Sequence, residues 1–275
     1  MTTSTPGDEH GTLPAPLRRE RILRLLDERG FVRVSELRGA FGVSSVTARA
    51  DLDALVASGD AQRVHGGAVP SQPQVDGPVH RESSFEEALA SSVIPKQQIG
   101  ALAASLVASG QSVILDVGTT TLAVARALRA RTDLTDVVVI TNGLSIALEL
   151  EPAIPRFTVI VTGGSLRPLQ HSLVEPMATT VLSQMHADLA FIGCSGVDAV
   201  HGVTNVNLPE AGLKTVMLRA AARCIVVADG SKLGRAHLGL VGALGAFETL
   251  VTDAAAPAGE IAALRDAGLT VLLPE

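Results

Sequence analysis

The N-terminal part of the chain carries apolar residues at helical spacing, interrupted by glycine and serine. The run PLRRERILRLLDERG places apolar residues on one helical face and stops at Gly30, which predicts a first helix. Ser35 and Ser44 are positioned to cap two further short helices, and AQRVHGGAVP predicts two short strands around a Gly-Gly turn. Three helices and a hairpin predict a winged helix-turn-helix over residues 16–70.

From Ile94 onward, short runs rich in Val and Ile alternate with helical patterns. The predicted strands lie in the runs SVILDVG, DVVVITN, FTVIVTGG, DLAFIGCSG, RCIVVADGSK, ETLVTD and LTVLL. Short strands separated by helices predict a mostly parallel sheet that is covered on both faces. The predicted fold class is therefore α/β, with a winged helix-turn-helix followed by an α/β domain over residues 94–275.

Two stretches lack a periodic apolar pattern. Residues 1–15 predict a disordered tail. The stretch VPSQPQVDGPV is rich in Pro, Gln, Ser and Gly, which predicts a linker over residues 71–93. The end of that range, HRESSFEEALASS, fits either a tethering helix or more linker.

Composition narrows the class of protein. Two cysteines in 275 residues imply no disulfide framework, and the N-terminal residues lack the pattern of a signal peptide, so we expect a cytoplasmic protein. No apolar run approaches the roughly 18 residues of a membrane span. Net charge is −6, yet residues 16–70 hold nine Arg against seven acids. Only three of the 22 basic residues are lysine, and all three follow residue 90.

The third predicted helix has two chemically different faces. Ala48, Leu52 and Leu55 share one face and can pack on the first helix, while Thr47 and Arg49 point away. An exposed helix of this kind enters the major groove, where Arg bonds guanine and a following wing touches the backbone. The candidate DNA-contacting residues are Ser44, Ser45, Val46, Thr47, Arg49, Arg63 and His65. A helical bundle that binds protein is the alternative.

Glycine, hydroxyl and amide residues follow the predicted strands of the second domain. In open parallel sheets, ligands bind beyond the carboxyl ends of the strands, and free N–H groups there attract anions. The candidate effector residues in these loops are Asp116, Gly118, Thr119, Thr120, Thr141, Asn142, Gly163, Gly164 and Lys232. Ordinary turn and cap residues are the alternative. No P-loop or dinucleotide fingerprint and no metal-ligand spacing is present, so we expect no cofactor and no metal.

The N-terminal motifs resemble those of the DeoR family of bacterial transcriptional regulators. The motifs VSEL, FGVS and HGGA stand in the family order around the core Thr47-Ala48-Arg49-Ala50-Asp51-Leu52. The family pattern has a second arginine where this chain has Ala50. The resemblance implies a winged helix-turn-helix that binds an operator as part of a homo-oligomer.

The resemblance extends through the second domain, to about Asp253. The motifs that carry it are LDVGTTT, VITN, TGGSLR, ADLAFIGCSGVD, HGVT, EAGLK and VADGSK. In this family the second domain is a sugar-phosphate sensor that is similar in fold to ribose-5-phosphate isomerase. By that similarity, Arg167, Glu210 and Lys214 lie near the same ligand.

Catalysis and sensing make different demands on this edge of the sheet. Aldose–ketose isomerisation needs a carboxylate base at a carbon-bound proton. Where such isomerases carry a cluster of acids, this chain has Ile192, Ser195 and Gly196. We therefore expect no enzyme, but a DNA-binding regulator that represses a carbohydrate operon and responds to a phosphorylated sugar. An isomerase with a DNA-binding appendage, or a scaffold that binds protein, stays open.

Overall fold

The computed structural model describes residues 13–64, 66–70 and 82–274. Contacts within the chain divide it into two units, 1–79 and 80–275. Most of the predicted tail, and the first half of the predicted linker, lie outside the described residues.

The first unit consists of three helices and a small antiparallel sheet. Its elements are α1 (Ala15–Arg29), β1 (Val32–Arg33), α2 (Val34–Phe41), α3 (Ser45–Ala57), β2 (Ala61–Val64) and β3 (Gly67–Pro70). The strand order is β1-β3-β2, so the predicted wing hairpin is confirmed and gains a third strand. The predicted cap at Ser35 is wrong, because α2 already begins at Val34. The Glu36 carboxylate accepts the Arg33 N–H at 2.9 Å instead.

The buried face of α3 is the predicted one. Ala48, Leu52 and Leu55 are buried in the core of this unit. Asp51 is also buried, and its carboxylate binds two arginines of α1. Arg18 Nε lies 2.5 Å from Asp51 Oδ2 and Arg19 Nε lies 3.1 Å from Asp51 Oδ1. A charged contact thus joins α1 to the helix that carries the predicted DNA-reading face.

The second unit alternates strands and helices. Its helices are α4 (Phe85–Ala90), α5 (Val93–Ser105), α6 (Thr119–Ala130), α7 (Leu144–Leu150), α8 (Met177–Leu182), α9 (Leu208–Arg219) and α10 (Ala258–Asp266). Its strands are β4 (Ser112–Leu115), β5 (Val137–Thr141), β6 (Phe157–Val161), β7 (Ser165–Arg167), β8 (Ser172–Val174), β9 (Ala187–Ile192), β10 (Gly196–Asp198), β11 (Gly202–Asn205), β12 (Ala221–Val227), β13 (Gly239–Gly242), β14 (Thr249–Val251) and β15 (Thr270–Leu272). Within the described ranges, no helix combines the length and the apolar character that crossing a membrane requires.

Seven strands form one parallel sheet in the order β15-β14-β12-β9-β4-β5-β6. These are the seven predicted strands. Successive residues of β4 face opposite sides: Val113 and Leu115 pack with α5, α6 and α7, whereas Ile114 packs with α8, α9 and α10. Both faces are covered, as the Val- and Ile-rich runs predict.

Two small antiparallel sheets are additional to the predicted pattern, and the stretch left open between a tethering helix and more linker contains a helix, α4. Strands β7 and β8 form a hairpin, and β10, β11 and β13 form a three-stranded sheet. The part of the predicted linker that the structure describes is folded, because α4 buries Phe85 in the core beside α5 and α6. Residues 82–91, which contain α4, are called the approach segment below, because they lie in the second unit near its start, on the side that follows the first unit in sequence.

We expect the substitution Asp51→Ala to destabilise the first unit by about 3–5 kcal/mol, because it leaves Arg18 buried without its charged partner. The matched control is Asp53→Ala in the same helix. Asp53 pairs with Arg63, but both side chains are substantially exposed, so the cost is within about 1 kcal/mol. Native-state hydrogen exchange of the α1 and α3 amides in the full chain measures both values. Equal losses in the two variants would contradict this account of the core.

Candidate functional site

The predicted effector loops lie at a topological switch point of the large sheet. From β4 the chain adds β5 and β6 on one side, and then returns to add β9 and β12 on the other side. Between the carboxyl ends of β4 and β9 the connections run in opposite directions, and in open α/β sheets ligands bind at such a point. This edge of the sheet, between the ends of β4 and β9, is called the crevice below.

Asp116, directly after β4, forms a buried ion pair at this crevice. Its Oδ2 atom accepts hydrogen bonds from Lys214 Nζ of α9 and, at 3.0 Å, from the Gly193 N–H after β9. Lys214 Nζ also donates to the Gly193 carbonyl at 3.0 Å. Asp116 and Lys214 are both buried. The pair therefore ties two strands and one helix together at the switch point.

The second carboxylate oxygen of Asp116 is different. Oδ1 is buried and has no hydrogen-bond partner among the described residues. Burial raises the pKa of Asp116 to about 6, although the charge and hydrogen bond of Lys214 oppose that shift. A buried carboxylate oxygen without a donor is costly, so this atom is suited to accept a hydrogen bond from a ligand.

The N-terminus of α6 lies directly beyond Asp116. Gly118 precedes the helix with φ 143°, a conformation that side chains other than glycine rarely adopt. The Asn142 side chain fixes this turn, because its Oδ1 accepts the Val117 N–H at 2.9 Å. Thr119 is buried and Thr120 half-buried at the first turn. The first N–H groups of a helix have no partner within it, so this turn can hold an anion.

The loops after β5 and β6 shape the rim of the edge. Thr141 is buried, and its hydroxyl accepts the Gly143 N–H at 3.0 Å. Gly163 and Gly164 turn the chain with φ 69° and 127°, and a Cβ on Gly164 would lie 2.1 Å from the Val174 carbonyl oxygen. Gly164 therefore allows the chain to pack closely against β8, whereas Gly163 has open space around it and serves the turn through its positive φ.

Lys232 lies after β12, on the other side of the crevice. It is half-buried and forms no hydrogen bond or ion pair in the described part of the chain. Burial raises the pKa of the Cys194 thiol to about 12, although the charges of Lys214 and Lys232 oppose that shift. The Cys194 thiol therefore stays protonated.

Arg167, Glu210 and Lys214 make their contacts with protein groups. Arg167 pairs with Glu82 and with Glu210, and Glu210 also accepts the Ser172 hydroxyl at 2.7 Å. Burial lowers the pKa of Lys214, but the charges of Asp116 and Glu210 outweigh it and raise that pKa. Arg167 and Lys214 each already have an anionic partner. Among the predicted effector residues that the structure describes, Lys232 and the α6 N-terminus are therefore the candidate positive features.

Two groups at or near this edge were not among the predicted site residues. The backbone of Gly193 forms hydrogen bonds with both Asp116 and Lys214. A contact made by the backbone leaves no side chain in the sequence from which it could be predicted. Lys96 is buried and donates to the Ala88 and Ser91 carbonyls at 2.5 and 2.8 Å. Burial lowers its pKa to about 8, with Asp229 and Lys232 acting on it as well. The only feature of the sequence that pointed to Lys96 was the scarcity of lysine in the chain.

The other carboxylates at this edge hold the protein together. Asp229 accepts the Ser231 N–H at 3.1 Å, and Asp253 accepts the Gly230 N–H at 2.6 Å. Asp198 accepts the His201 N–H at 2.7 Å. Across residues 13–64, 66–70 and 82–274, no three His, Cys, Asp or Glu side chains come together as a metal site.

The first unit presents a polar helix end. The Ser44 hydroxyl caps α3 by accepting the Thr47 N–H at 3.1 Å, and it lies 2.9 Å from the Thr47 hydroxyl. Ser45 is half-buried, whereas Val46 and Arg49 are exposed. Within the described residues Arg49 has no hydrogen bond or ion pair, so its guanidinium is available to a partner.

The wing residues are partly engaged. Arg63 Nε lies 3.2 Å from Asp53 Oδ1 of α3, and Arg63 Nη1 donates to the Gly67 carbonyl at 3.3 Å. These contacts join β2 to α3 and to β3. His65 lies outside the described residues.

Comparison with known proteins matches both units. A family model of the DeoR C terminal sensor domain matches residues 92–254, and a model of the DeoR-like helix-turn-helix domain matches residues 18–74. Among solved structures, ribose 5-phosphate isomerase A from Methanocaldococcus jannaschii is similar with a TM-score of 0.37 and 18% identity, over 50% of this chain and 52% of that one.

Two relatives cover almost the whole chain. An Escherichia coli O157:H7 protein named as an aga operon transcriptional repressor is 36% identical over 93% of each chain. The glycerol-3-phosphate regulon repressor of Escherichia coli K12 is 29% identical over 90% of this chain and 95% of its own length. The chain therefore belongs to the DeoR family of transcriptional regulators.

Proposed function

We propose that a phosphorylated sugar or polyol binds at the switch point of the second unit and changes the affinity of this regulator for operator DNA. The observation that carries the proposal is the buried, unpartnered Oδ1 atom of Asp116, next to the N-terminus of α6. The carboxylate oxygen accepts a hydroxyl, and the helix end attracts an anion. One small ligand that carries both groups would use both features.

The charges of the crevice favour a single phosphate. Arg167 and Lys214 are already paired with carboxylates, so neither adds net positive charge. Lys232 has no such partner among the described residues. Two strand spacings, about 10 Å, separate β12 from β4, and an extended lysine side chain spans much of that distance. We assign the phosphate to the α6 N-terminus and Lys232, and a hydroxyl to Asp116.

The first unit supplies the DNA contact in this proposal. α3 enters the major groove with Val46, Thr47 and Arg49 towards the bases, while Arg63 and the wing lie against the backbone. Recognition of a two-fold operator needs two such helices, so the proposal includes a homo-oligomer. The relatives named as repressors support repression as the sign of regulation.

One observation favours a second candidate function. The free Oδ1 atom of Asp116, with a pKa raised to about 6, has the character of a general base. A sugar-phosphate isomerase would use such a group to move a proton between two carbons.

One experiment separates the two functions. An operator is first selected from random duplex DNA by the purified chain. Its affinity is then measured by fluorescence anisotropy with ribose 5-phosphate, glucose 6-phosphate, glycerol 3-phosphate or inorganic phosphate present. We expect one of the organic phosphates to change operator affinity and inorganic phosphate to act weakly. NMR of the sugar phosphates follows any conversion, and turnover without an effect on operator affinity would favour the isomerase.

We expect Arg49→Ala to weaken binding to the selected operator by about 5–150-fold, which corresponds to 1–3 kcal/mol for a guanine contact. Binding to random duplex DNA changes less, because phosphate contacts remain. The control Arg126→Ala removes an exposed arginine of α6 that pairs with Glu149, and it leaves both affinities unchanged. Wild-type operator affinity in the Arg49 variant would contradict the proposal that α3 reads bases in the major groove.

We expect Lys232→Ala to weaken binding of the active sugar phosphate by about 10–150-fold, because a charge-assisted hydrogen bond is worth about 1.5–3 kcal/mol. Isothermal titration calorimetry measures the affinity. The matched control Arg235→Ala removes an exposed cation of the same loop and leaves that affinity within about twofold. If Lys232→Ala binds the ligand as tightly as the wild type, the phosphate lies elsewhere.

A further inference from the structure

The β7–β8 hairpin contacts the residues that shape the crevice. The Leu173 N–H donates to the Asn142 carbonyl at 2.8 Å, and the Asn142 side chain donates back to the Leu173 carbonyl at 3.2 Å. The Ser172 hydroxyl donates to Glu210 Oε1 at 2.7 Å. Asn142 fixes the turn before α6, and Glu210 lies one helical turn from Lys214. This side of the hairpin is therefore sensitive to changes at the crevice.

The tip of the same hairpin holds the approach segment. The Phe85 N–H donates to the Leu169 carbonyl at 2.8 Å, and the Gln170 side chain donates to the Ser83 carbonyl at 2.5 Å. The Phe85 ring stacks on His171 with centroids 4.7 Å apart. The hairpin thus makes both main-chain and side-chain contacts with the residues that lead towards the DNA-reading unit.

Arg167 makes the charged link between the two sides. Its Nη1 and Nη2 atoms form a fork on the Glu82 carboxylate at 3.2 and 2.6 Å, and Nη1 also donates to Glu210. The three side chains are 20%, 18% and 6% exposed for Arg167, Glu82 and Glu210. Their interactions are therefore only partly screened by water.

A continuous set of charges runs from the crevice to the approach segment. Asp116 pairs with Lys214, Glu210 lies one turn before Lys214 on α9, and Arg167 joins Glu210 to Glu82. Glu82 and Glu210 share the one guanidinium of Arg167. A change in the charge at one carboxylate therefore changes how strongly the guanidinium bonds the other. A ligand that donates a hydroxyl to Asp116 and places its phosphate at the α6 N-terminus changes the field at the Asp116–Lys214 pair and at Glu210. It thereby changes the share of Arg167 that Glu82 receives.

We propose that Arg167 is a positioning residue that transmits occupancy of the crevice to the approach segment through its fork on Glu82. This assignment rests on the proposed function, and it places Arg167 outside the direct contacts of the ligand. The ligand needs to favour one arrangement of the fork over the other, because equal affinity for both would shift nothing.

The test uses Glu82→Gln in the full chain, which keeps the size of the side chain and leaves the Arg167–Glu210 pair in place. The probes are ribose 5-phosphate, glucose 6-phosphate and glycerol 3-phosphate. We expect calorimetry to give wild-type affinity for the active probe within about threefold, while its effect on operator affinity falls from about 5–150-fold to below about twofold. Glu248→Gln breaks the exposed pair with Arg223 and serves as the control with a wild-type response.

A double-mutant cycle with Arg167→Met gives a second readout. If both residues act through one fork, the double variant responds like either single variant, and its effect is not additive. Hydrogen exchange of the approach-segment amides completes the set: the probe alters exchange there in the wild type and in the Glu248 control, but not in the Glu82 variant.

The outcomes separate the two proposals. A wild type that responds to the probe, together with a Glu82→Gln variant that responds equally, overturns the coupling role alone. A large loss of probe affinity in Glu82→Gln or Arg167→Met also overturns it, because these residues would then belong to the ligand contacts. If the wild type binds none of the probes, or binds one without any change in operator affinity, the proposed function itself fails.

Discussion

The buried ion pair between Asp116 and Lys214 is the contact on which the second unit depends. It joins the carboxyl end of β4 to α9, and the Gly193 backbone of the neighbouring strand bonds both partners. Two charges without water are costly unless each is paired and hydrogen-bonded, and here only one oxygen is left without a donor. That oxygen lies at a topological switch point, where we propose that a ligand donates a hydrogen bond to it.

Much of the architecture follows from the hydrophobic pattern. The seven strands of the large sheet coincide with seven Val- and Ile-rich runs, because a strand buried on both faces needs apolar residues throughout. The β7–β8 hairpin escaped prediction, since its strands are three residues long and acquire their form by pairing with each other. The sequence left the stretch that contains α4 open between a tethering helix and more linker. The structure shows the helix, which begins with a capping box in which the Ser84 hydroxyl and the Glu87 carboxylate accept each other's backbone N–H.

The site shows a similar division. Residues at the ends of strands could be predicted, because parallel strands bring their carboxyl ends to one edge. The partner of each charged residue could not, because Arg167 meets groups 43 and 85 positions away and Lys214 meets one 98 positions away. The scarcity of lysine was more informative than any spacing: Lys96 and Lys214 are buried, and the charge of Lys232 acts on Lys96. In a chain that otherwise uses arginine, a compact ammonium is kept for crowded positions.

The central claim is that one ligand and the operator are coupled through the same molecule, and thermodynamic reciprocity tests it most directly. Calorimetric affinity for the active sugar phosphate is measured with the free chain and with the chain saturated by operator DNA. The account requires these two affinities to differ by the same factor, about 5–150-fold, by which the sugar phosphate changes operator affinity. The account would be contradicted if the ligand affinities were equal in the two titrations and the sugar phosphate were slowly isomerised in the sample. That result would support the alternative function, a sugar-phosphate isomerase.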